Sequence, residues 1–565
     1  MAMVRRGISA FGLFAFLASL MFGQVPQRAF DVRAYGAVGD GKTLDTAAIN
    51  KAIDAAAAVG GGTVCFPAGT YASYSIHLKS NVALYLDQGA TILAADPPAV
   101  GQAGGYDAPE PNQWDKYEDF GHAHWHNSLI WGEDLQNVSI LGPGTIFGRG
   151  LSRGFGRKEP LPSEGPSKHR DKREITPGVT GKIEPGPFGY PSAHDTLPAG
   201  VGNKAIALKN CRNVIFRDFT IFHGGHFGIL AIATDNFTID NLKIDTNRDG
   251  MDVDSCANVR ISNCTVNSPF DDGICLKSCF GLGYARATEN VTITNCQVSG
   301  YMEGSLLDGT YKRSPADPKE TPTGRIKLGT EANGGFKNIT VSNCVFDYCR
   351  GLALEEVDGG SMEDITITNL TMRDIVNAPI FVRLGLRNRG PHNPSIGAAR
   401  RIKISNVVAY NVAPDHGILI AGLAGHPVED LSLSNILIVY RGGGTEKQAK
   451  REVPEYEESE IGDYFYPKPS YYPEPSRFGI IPSYGMFVRH VKNFSVDRVE
   501  LRYAEEDRRP AVILDDVAGA DFDRLKARHA DGVSIFVLKN VKNFTIRNSP
   551  GVPDTQRDRA DDMKL

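Results

Sequence analysis

One phrase recurs through most of this chain. NVIFRDFTI begins at Asn213, NFTIDNLKI at Asn236, NVRISNCTV at Asn258, NVTITNCQV at Asn290 and NITVSNCVF at Asn338. DITITNLTM at Asp364, RIKISNVVA at Arg401, DLSLSNILI at Asp430, NFSVDRVEL at Asn493 and NFTIRNS at Asn543 continue it, and NVSILGPGTI at Asn137 is an earlier copy. Each unit alternates apolar and polar positions and is rich in β-branched residues, the pattern of a strand with one buried face. An Asn or Asp follows as a turn former. The tightest spacings are 23 residues from Asn213 to Asn236 and 22 from Asn236 to Asn258. Propeller blades need roughly 40–50 residues each, and the leucine pattern of a horseshoe is missing. The expected architecture is all-β: a right-handed parallel β-helix in which each coil stacks on the last.

The rest of the chain fits around that solenoid. DTAAINKAIDAAAAVGG is helical by period and closed by Gly60, and so is expected to cap the N-terminal end. Residues 151–200, 308–323 and 441–480 break the rhythm and are expected as loops on the side of the stack, most of 151–200 as a solvated insertion. Residues 1–23, with Arg5 and Arg6 before the apolar run ISAFGLFAFLASLMFG, read as a secretory signal peptide. The single β-helix domain is then expected over 24–550, with 551–565 a polar C-terminal tail. A formal charge of −5 over 565 residues gives no basic face for a nucleic acid. No other segment is apolar enough to span a membrane. Nine cysteines are odd in number and sparse, and Cys264, Cys296 and Cys344 fall at one phase of the repeat, as small buried hydrophobes would.

One window departs from the plain repeat. Asp245 to Ser278 reads DTNRDGMDVDSCANVRISNCTVNSPFDDGICLKS. Asp249 lies 13 residues after Asn236, Asp271 lies 13 after Asn258, and Asp272 is next. Stacked strands sit about 4.8 Å apart, so matching phases on consecutive coils are neighbours. Aligning GMDVDSC, GICLKSC, RIKLGTE and GLALEEV points Met251, Ile274, Ile326 and Leu352 inward, with Val253, Leu276, Leu328 and Leu354. Asp252, Cys275, Lys327 and Ala353 face outward, then Asp254, Lys277, Gly329 and Glu355. Crowded carboxyls cannot all ionise, so one is expected to stay protonated while another acts as base. Glycoside hydrolysis uses such a pair, about 6.5–9.5 Å apart in inverting enzymes. A Ca²⁺ site or an Asx ladder is the plainer alternative.

The NxDGxDxDSC pattern followed by DDGICLKS resembles the polygalacturonase family, glycoside hydrolase family 28. FDVRAYGAVGDGKTLDTAAINKAIDAA, FPAGTY and LKSNVALYLDQGATI look like the opening shared by pectinase-type β-helices. The resemblance runs from about Phe30 to at least Met372. It implies inverting hydrolysis of galacturonic-acid linkages by Asp249, Asp271 and Asp272, with Asp271 as general acid and the other two holding and deprotonating water. A pectic polysaccharide or oligogalacturonide is the implied partner, with a secreted or periplasmic monomer, no metal and no cofactor. Two departures stand out. TGRIKLGTE replaces the usual Gly-His-Gly, and LALEEV stands where an Arg-Ile-Lys would grip a substrate carboxylate. Asp252, Lys277, Arg325, Lys327, His226 and Glu355 are the expected substrate-binding residues, with His226 a replacement imidazole. A rhamnogalacturonan hydrolase or exo-uronidase, a Ca²⁺-dependent lyase and a non-catalytic binder are the alternatives. His122, His124 and His126 form a candidate metal triad or a cleft wall. Tyr464, Tyr466, Tyr471 and Tyr472 are candidate sugar platforms.

Overall fold

The computed structural model describes residues 29–99, 102–118, 121–153, 197, 199–313, 322–391, 395–455 and 473–565. The expected signal peptide, most of the 151–200 insertion and the four loop tyrosines lie outside these residues. Almost every strand pairs in parallel with the strand one turn of chain away. Phe237 lies beside Val259, Val259 beside Val291, and Val291 beside Ile339. Three short strands make one turn: Phe227–Ile232, Asp235–Asp240 and Lys243–Asp245, followed by Asp249–Asp254, Ala257–Ser262 and Thr265–Asn267. This is a parallel β-helix.

The repeat sequence explains both its interior and its corners. Alternation sends one apolar set inward, and Phe237, Ile261, Ile293 and Val341 are all fully buried. The corner residues Asn213, Asn236, Asn258, Asn290 and Asn338 have φ between 50° and 59°, a left-handed conformation that Asn tolerates and β-branched residues do not. Their amides also link rung to rung: Asn236 Nδ2 donates to Asn213 Oδ1 at 3.1 Å, and Asn338 Nδ2 to Asn290 Oδ1 at 2.8 Å. All nine cysteines are free, and Cys264, Cys296 and Cys344 are buried.

The open ends of the stack are closed differently. At the N-terminus a helix, α1 (Thr46–Ala58), buries Ile49, Ala52, Ile53 and Ala56. Residues 551–565 require a correction, because they are not a tail beyond the solenoid. Thr555–Ala560 runs antiparallel along Val541–Arg547, and Met563–Lys564 along Phe536–Lys539. Thr555 and Ala560 are buried at the two ends of the first of these strands, and the four polar residues between them are exposed.

One wall carries the features that matter for function. Along it run β1 (Lys204–Lys209), β2 (Phe227–Ile232), β3 (Asp249–Asp254), β4 (Ile274–Ser278), β5 (Ile326–Ala332), β6 (Leu352–Glu356), β7 (Ile380–Leu384) and β8 (Ile418–Ala421). The register is the expected one as far as Leu276 and Leu328, after which it shifts and Ser278 pairs with Ala332 rather than with Thr330. Met251 pairs with Ile274 and Ile274 with Ile326, while Asp252 pairs with Cys275 and Cys275 with Lys327. Loops cover the outer side of this wall. Trp125 and Cys279 pack with Ala207, Phe227 and Leu230 near one end. Val453, Phe478 and Ile481, from the region expected as the 441–480 insertion, pack on Phe381 and Leu419 further along.

Candidate active site

Between those two apolar patches the outer wall turns ionic. The turn entering β3 places Asp249, and the turn entering β4 places Asp271 and Asp272. Close backbone approach sets this geometry: a Cβ on Gly250 would lie 2.4 Å from the Gly273 carbonyl oxygen, so only glycine fits after Asp249. One oxygen from each of the three acids lies within 4.8 Å of the others. The ladder refines the expected phase. Gly250 N–H donates to the Asp272 carbonyl and Met251 N–H to that of Gly273, so Asp272 rather than Asp271 is level with Asp249. The turn before β4 is one residue longer than the turn before β3, and that extra residue pushes Asp271 out.

The three carboxyls occupy different environments. Asp249 is 3% exposed, and its Oδ1 has no hydrogen-bond partner among the described residues. Burial, reinforced by Asp252 and Asp271, raises its pKa well above the usual carboxylate range. Asp272 is just as buried but points at cations. Arg325 Nε donates to its Oδ1 at 2.8 Å and Lys327 Nζ is 3.2 Å from its Oδ2. Despite the burial, Lys327 and Arg325 hold its pKa well below the ordinary value. Asp271 alone opens to solvent, 27% exposed, with Arg248 Nη2 at 2.8 Å. The expected gap of about 6.5–9.5 Å for an inverting pair is therefore wider than the approach of the nearest oxygens.

The structure brings the expected substrate-binding residues to the acids but does not leave them exposed. Asp252 is fully buried, 2.8 Å from His122 Nε2 and 3.6 Å from Lys277 Nζ. Lys277 also meets Glu331 at 2.8 Å. Arg325 and Lys327 lie 3.6 and 3.9 Å from the buried Glu355. Burial pushes the Glu355 carboxyl up to about 7, while Lys327 and Arg325 pull against it. His226 is buried beside Phe227, its Nδ1 3.1 Å from the Arg153 carbonyl oxygen. Burial, with Arg248 nearby, lowers its pKa well below the usual imidazole value and keeps it neutral. All six are buried, and Arg325 and Lys327 bind Asp272 directly.

Several participants were not anticipated. Glu474, in a Pro-rich loop with no repeat signal, binds Arg325 at 2.5 Å and Arg350 at 3.1 Å. Glu331 and His122 complete the buried network. Arg248 was visible in principle, since it immediately precedes Asp249. The three nearby histidines form no metal triad: they lie in a turn, and each faces a separate carboxylate, His122 on Asp252, His124 on Asp115 and His126 on Glu133. Asp249, Asp271 and Asp272 are close enough for their nearest oxygens to reach one cation. Arg248, Arg325 and Lys327 already neutralise two of them, so the donor set is poorly suited to a resident divalent ion.

Comparisons with known proteins agree with this architecture. The family described as rhamnogalacturonase A/epimerase, pectate lyase-like, matches residues 29–140, and the right-handed β-helix region matches residues 196–313. An exo-poly-α-D-galacturonosidase of Dickeya chrysanthemi is 28% identical over 374 residues. That match covers 63% of this chain and 57% of the relative's own length. A probable polygalacturonase of Vitis vinifera is 24% identical, covering 72% of this chain and 73% of the relative. Among solved structures, the family 28 exopolygalacturonase of Yersinia enterocolitica aligns with a TM-score of 0.57 and 18% identity, over 93% of this chain and 79% of the other. The chain is similar in sequence to these polygalacturonases and in fold to the family 28 structure. Its acids stand on consecutive turns of a right-handed β-helix of the pectinase type.

Proposed function

We propose that this protein is a secreted or periplasmic glycoside hydrolase that cleaves galacturonate-containing pectic polysaccharide. One observation carries the reading: three carboxyls lie within 4.8 Å through their nearest oxygens, and their surroundings push two of them, Asp249 and Asp272, in opposite directions. Asp249, whose carboxyl burial favours in the neutral form, keeps the cluster's proton at rest. Asp271, facing solvent, relays that proton from Asp249 to the departing glycosidic oxygen. Asp272, pinned as an anion, orients the attacking water and stabilises positive charge developing on the sugar. Asp249, now ionised, takes a proton from that water and the cluster is restored. The relatives' names supply the substrate class, and the leader-like first residues supply the compartment.

Elimination is less well supported. Its base would be an arginine, and Arg325, held by Glu474 and Asp272, has its pKa raised further above the ordinary value. The test is Asp271→Asn in the full chain, assayed for reducing ends on pectic polymers. Turnover is expected to fall about 10³-fold; full turnover on every pectic polymer that the wild type cleaves would remove the mechanism. Product anomeric configuration, read by NMR, decides between inversion and retention, and ultraviolet-absorbing unsaturated ends would instead identify a lyase.

A further inference from the structure

The cations beside the acids are already occupied. Arg325 spends Nε on Asp272 Oδ1 at 2.8 Å, Nη2 on Glu474 Oε1 at 2.5 Å and Nη1 on Glu474 Oε2 at 3.3 Å. Arg350 Nη1 reaches the same Glu474 oxygen at 3.1 Å, and its Nε is buried. Lys327 lies between Asp272 and Glu355. Arg387 lies on Asp358 and Arg389 on Glu331. A carboxylate supplied by the chain itself therefore sits where an arginine pair next to Asp272 would otherwise receive one from a ligand.

Glu474 is not placed to swing away. It lies between Pro473 and Pro475, both buried, which restrict the backbone on either side. The turn that follows is bolted down. Phe478 and Ile481 pack on the outer wall with Phe381 and Leu419. Arg451 donates to the carbonyls of Phe478 and Ile480, and Arg509 to that of Ile481. Arg325 and Arg350 hold the Glu474 carboxyl down to about 2, against its burial, so it stays ionised across the physiological range. Displacing it would strip two arginines of their partner and break an apolar contact, a cost that a single competing carboxylate does not recover.

We infer that Glu474 is a specificity-determining residue: it occupies the facing guanidinium edges of Arg325 and Arg350, so that the sugar on the β5–β6 side of the cleaved bond is recognised as a neutral residue. This rests on the hydrolase reading above and deepens it. The substrate class is a pectic chain in which a neutral sugar, or a uronate with its carboxylate esterified, follows the bond on that side. A free uronate there meets the Glu474 charge rather than an open cation, and repulsion raises its cost.

The experiment compares full-length wild type, Glu474→Gln and Glu474→Asp on three polymers: de-esterified homogalacturonan, fully methyl-esterified homogalacturonan and a backbone alternating uronate with neutral sugar. Wild type is expected to favour a neutral-containing polymer over the de-esterified one by about tenfold in kcat/KM. Glu474→Gln should shift that ratio about tenfold toward the de-esterified polymer, mainly through KM, and Glu474→Asp should retain the wild-type ratio. Wild-type preference for de-esterified homogalacturonan overturns the inference even if the variants do not fold, as does an unchanged ratio in folded Glu474→Gln. Calorimetry with trigalacturonate in an Asp271→Asn background separates this from the hydrolase reading. If nothing pectic is cleaved, that reading falls, yet Glu474→Gln must still bind trigalacturonate about tenfold tighter; equal binding overturns the role of Glu474.

Discussion

The middle and the far end of one outer wall make an instructive pair. Behind both, the same inward ladder runs unbroken: Val253, Leu276, Leu328, Leu354 and Val382 are all fully buried. In front, β3 to β6 carry Asp252, Lys277, Lys327 and Glu355, whereas β7 and β8 carry Phe381 and Leu419. Both stretches are covered by loops, so both are buried. The apolar stretch gains stability from its cover. The ionic stretch costs free energy wherever a buried polar atom goes without a hydrogen bond, and among the described residues Asp249 and Glu355 both have such oxygens. The acid cluster lies in that costly stretch, at turns that differ by one residue and beside a break in strand register between Leu276 and Ser278.

Removing a member from each stretch should therefore have opposite signatures. Asp272→Asn removes the nearest anion of Lys327 and one of the two carboxylates hydrogen-bonded to Arg325. Turnover on pectic substrate should drop at least about 10³-fold, and stability by about 3–5 kcal/mol, read by reducing-end assay and denaturant titration. Leu419→Ala should cost a comparable 2–5 kcal/mol, roughly, because it empties a closed apolar contact. Its kcat at a temperature where the variant remains folded should stay within about twofold of wild type, since Leu419 meets no ionic group. A Leu419→Ala variant as inactive as Asp272→Asn would erase the distinction between the two stretches.

This contrast also marks what can be read from the chain alone. Inward positions and rung order follow from alternation and spacing, which are local, so the alignment of Met251, Ile274 and Ile326 was legible. Asp249, Asp271 and Asp272 were legible because they interrupt that alternation at a fixed phase. The one-residue offset of Asp271 was hidden, since it depends on the length of a turn between two otherwise matched coils. Glu474 could not be seen, because it reaches Arg325 across 149 positions from a segment with no repeat phase. The burial of Lys327 and Glu355 was hidden for the same reason: a strand pattern shows which face is outward, not whether a loop returns to cover it. The C-terminal strands, polar outside and unrepeated, gave no signal that they close the stack.

Two neighbouring glutamates in the ionic stretch titrate in opposite senses, which sharpens the comparison by pH. Glu355, raised from 4.5 to about 7, takes up its proton more readily in the folded state. Its contribution is fully present below about 4.5 and is lost as pH rises through about 7. Glu474, lowered from 4.5 to about 2, contributes above about 4.5 and loses that contribution as pH falls through about 2. The combined contribution of these two groups to the melting temperature should then peak near pH 4.5, roughly. Glu355→Gln should flatten the decline between pH 5 and 8, about 1–3 kcal/mol in size, and leave the acid limb in place. An alkaline limb unchanged in Glu355→Gln would assign the decline to another group.

The smallest effect belongs to the exposed Asn ladder, far from either stretch. Asn236 has φ of 50° and donates its amide to Asn213 at 3.1 Å. Asn236→Ala removes that hydrogen bond and places a side chain with no compensating local contact in left-handed conformation. The expected cost is about 1 kcal/mol, with turnover unchanged. Asn236→Gly separates the two contributions, because glycine adopts the conformation freely and loses only the amide. If both variants are equally destabilised, the rung-to-rung hydrogen bond is what holds the corner; if Asn236→Gly matches wild type, backbone conformation is. The corners would then be set by the same local requirement that makes the repeat readable, while the acids on the wall depend on contacts that no single repeat contains.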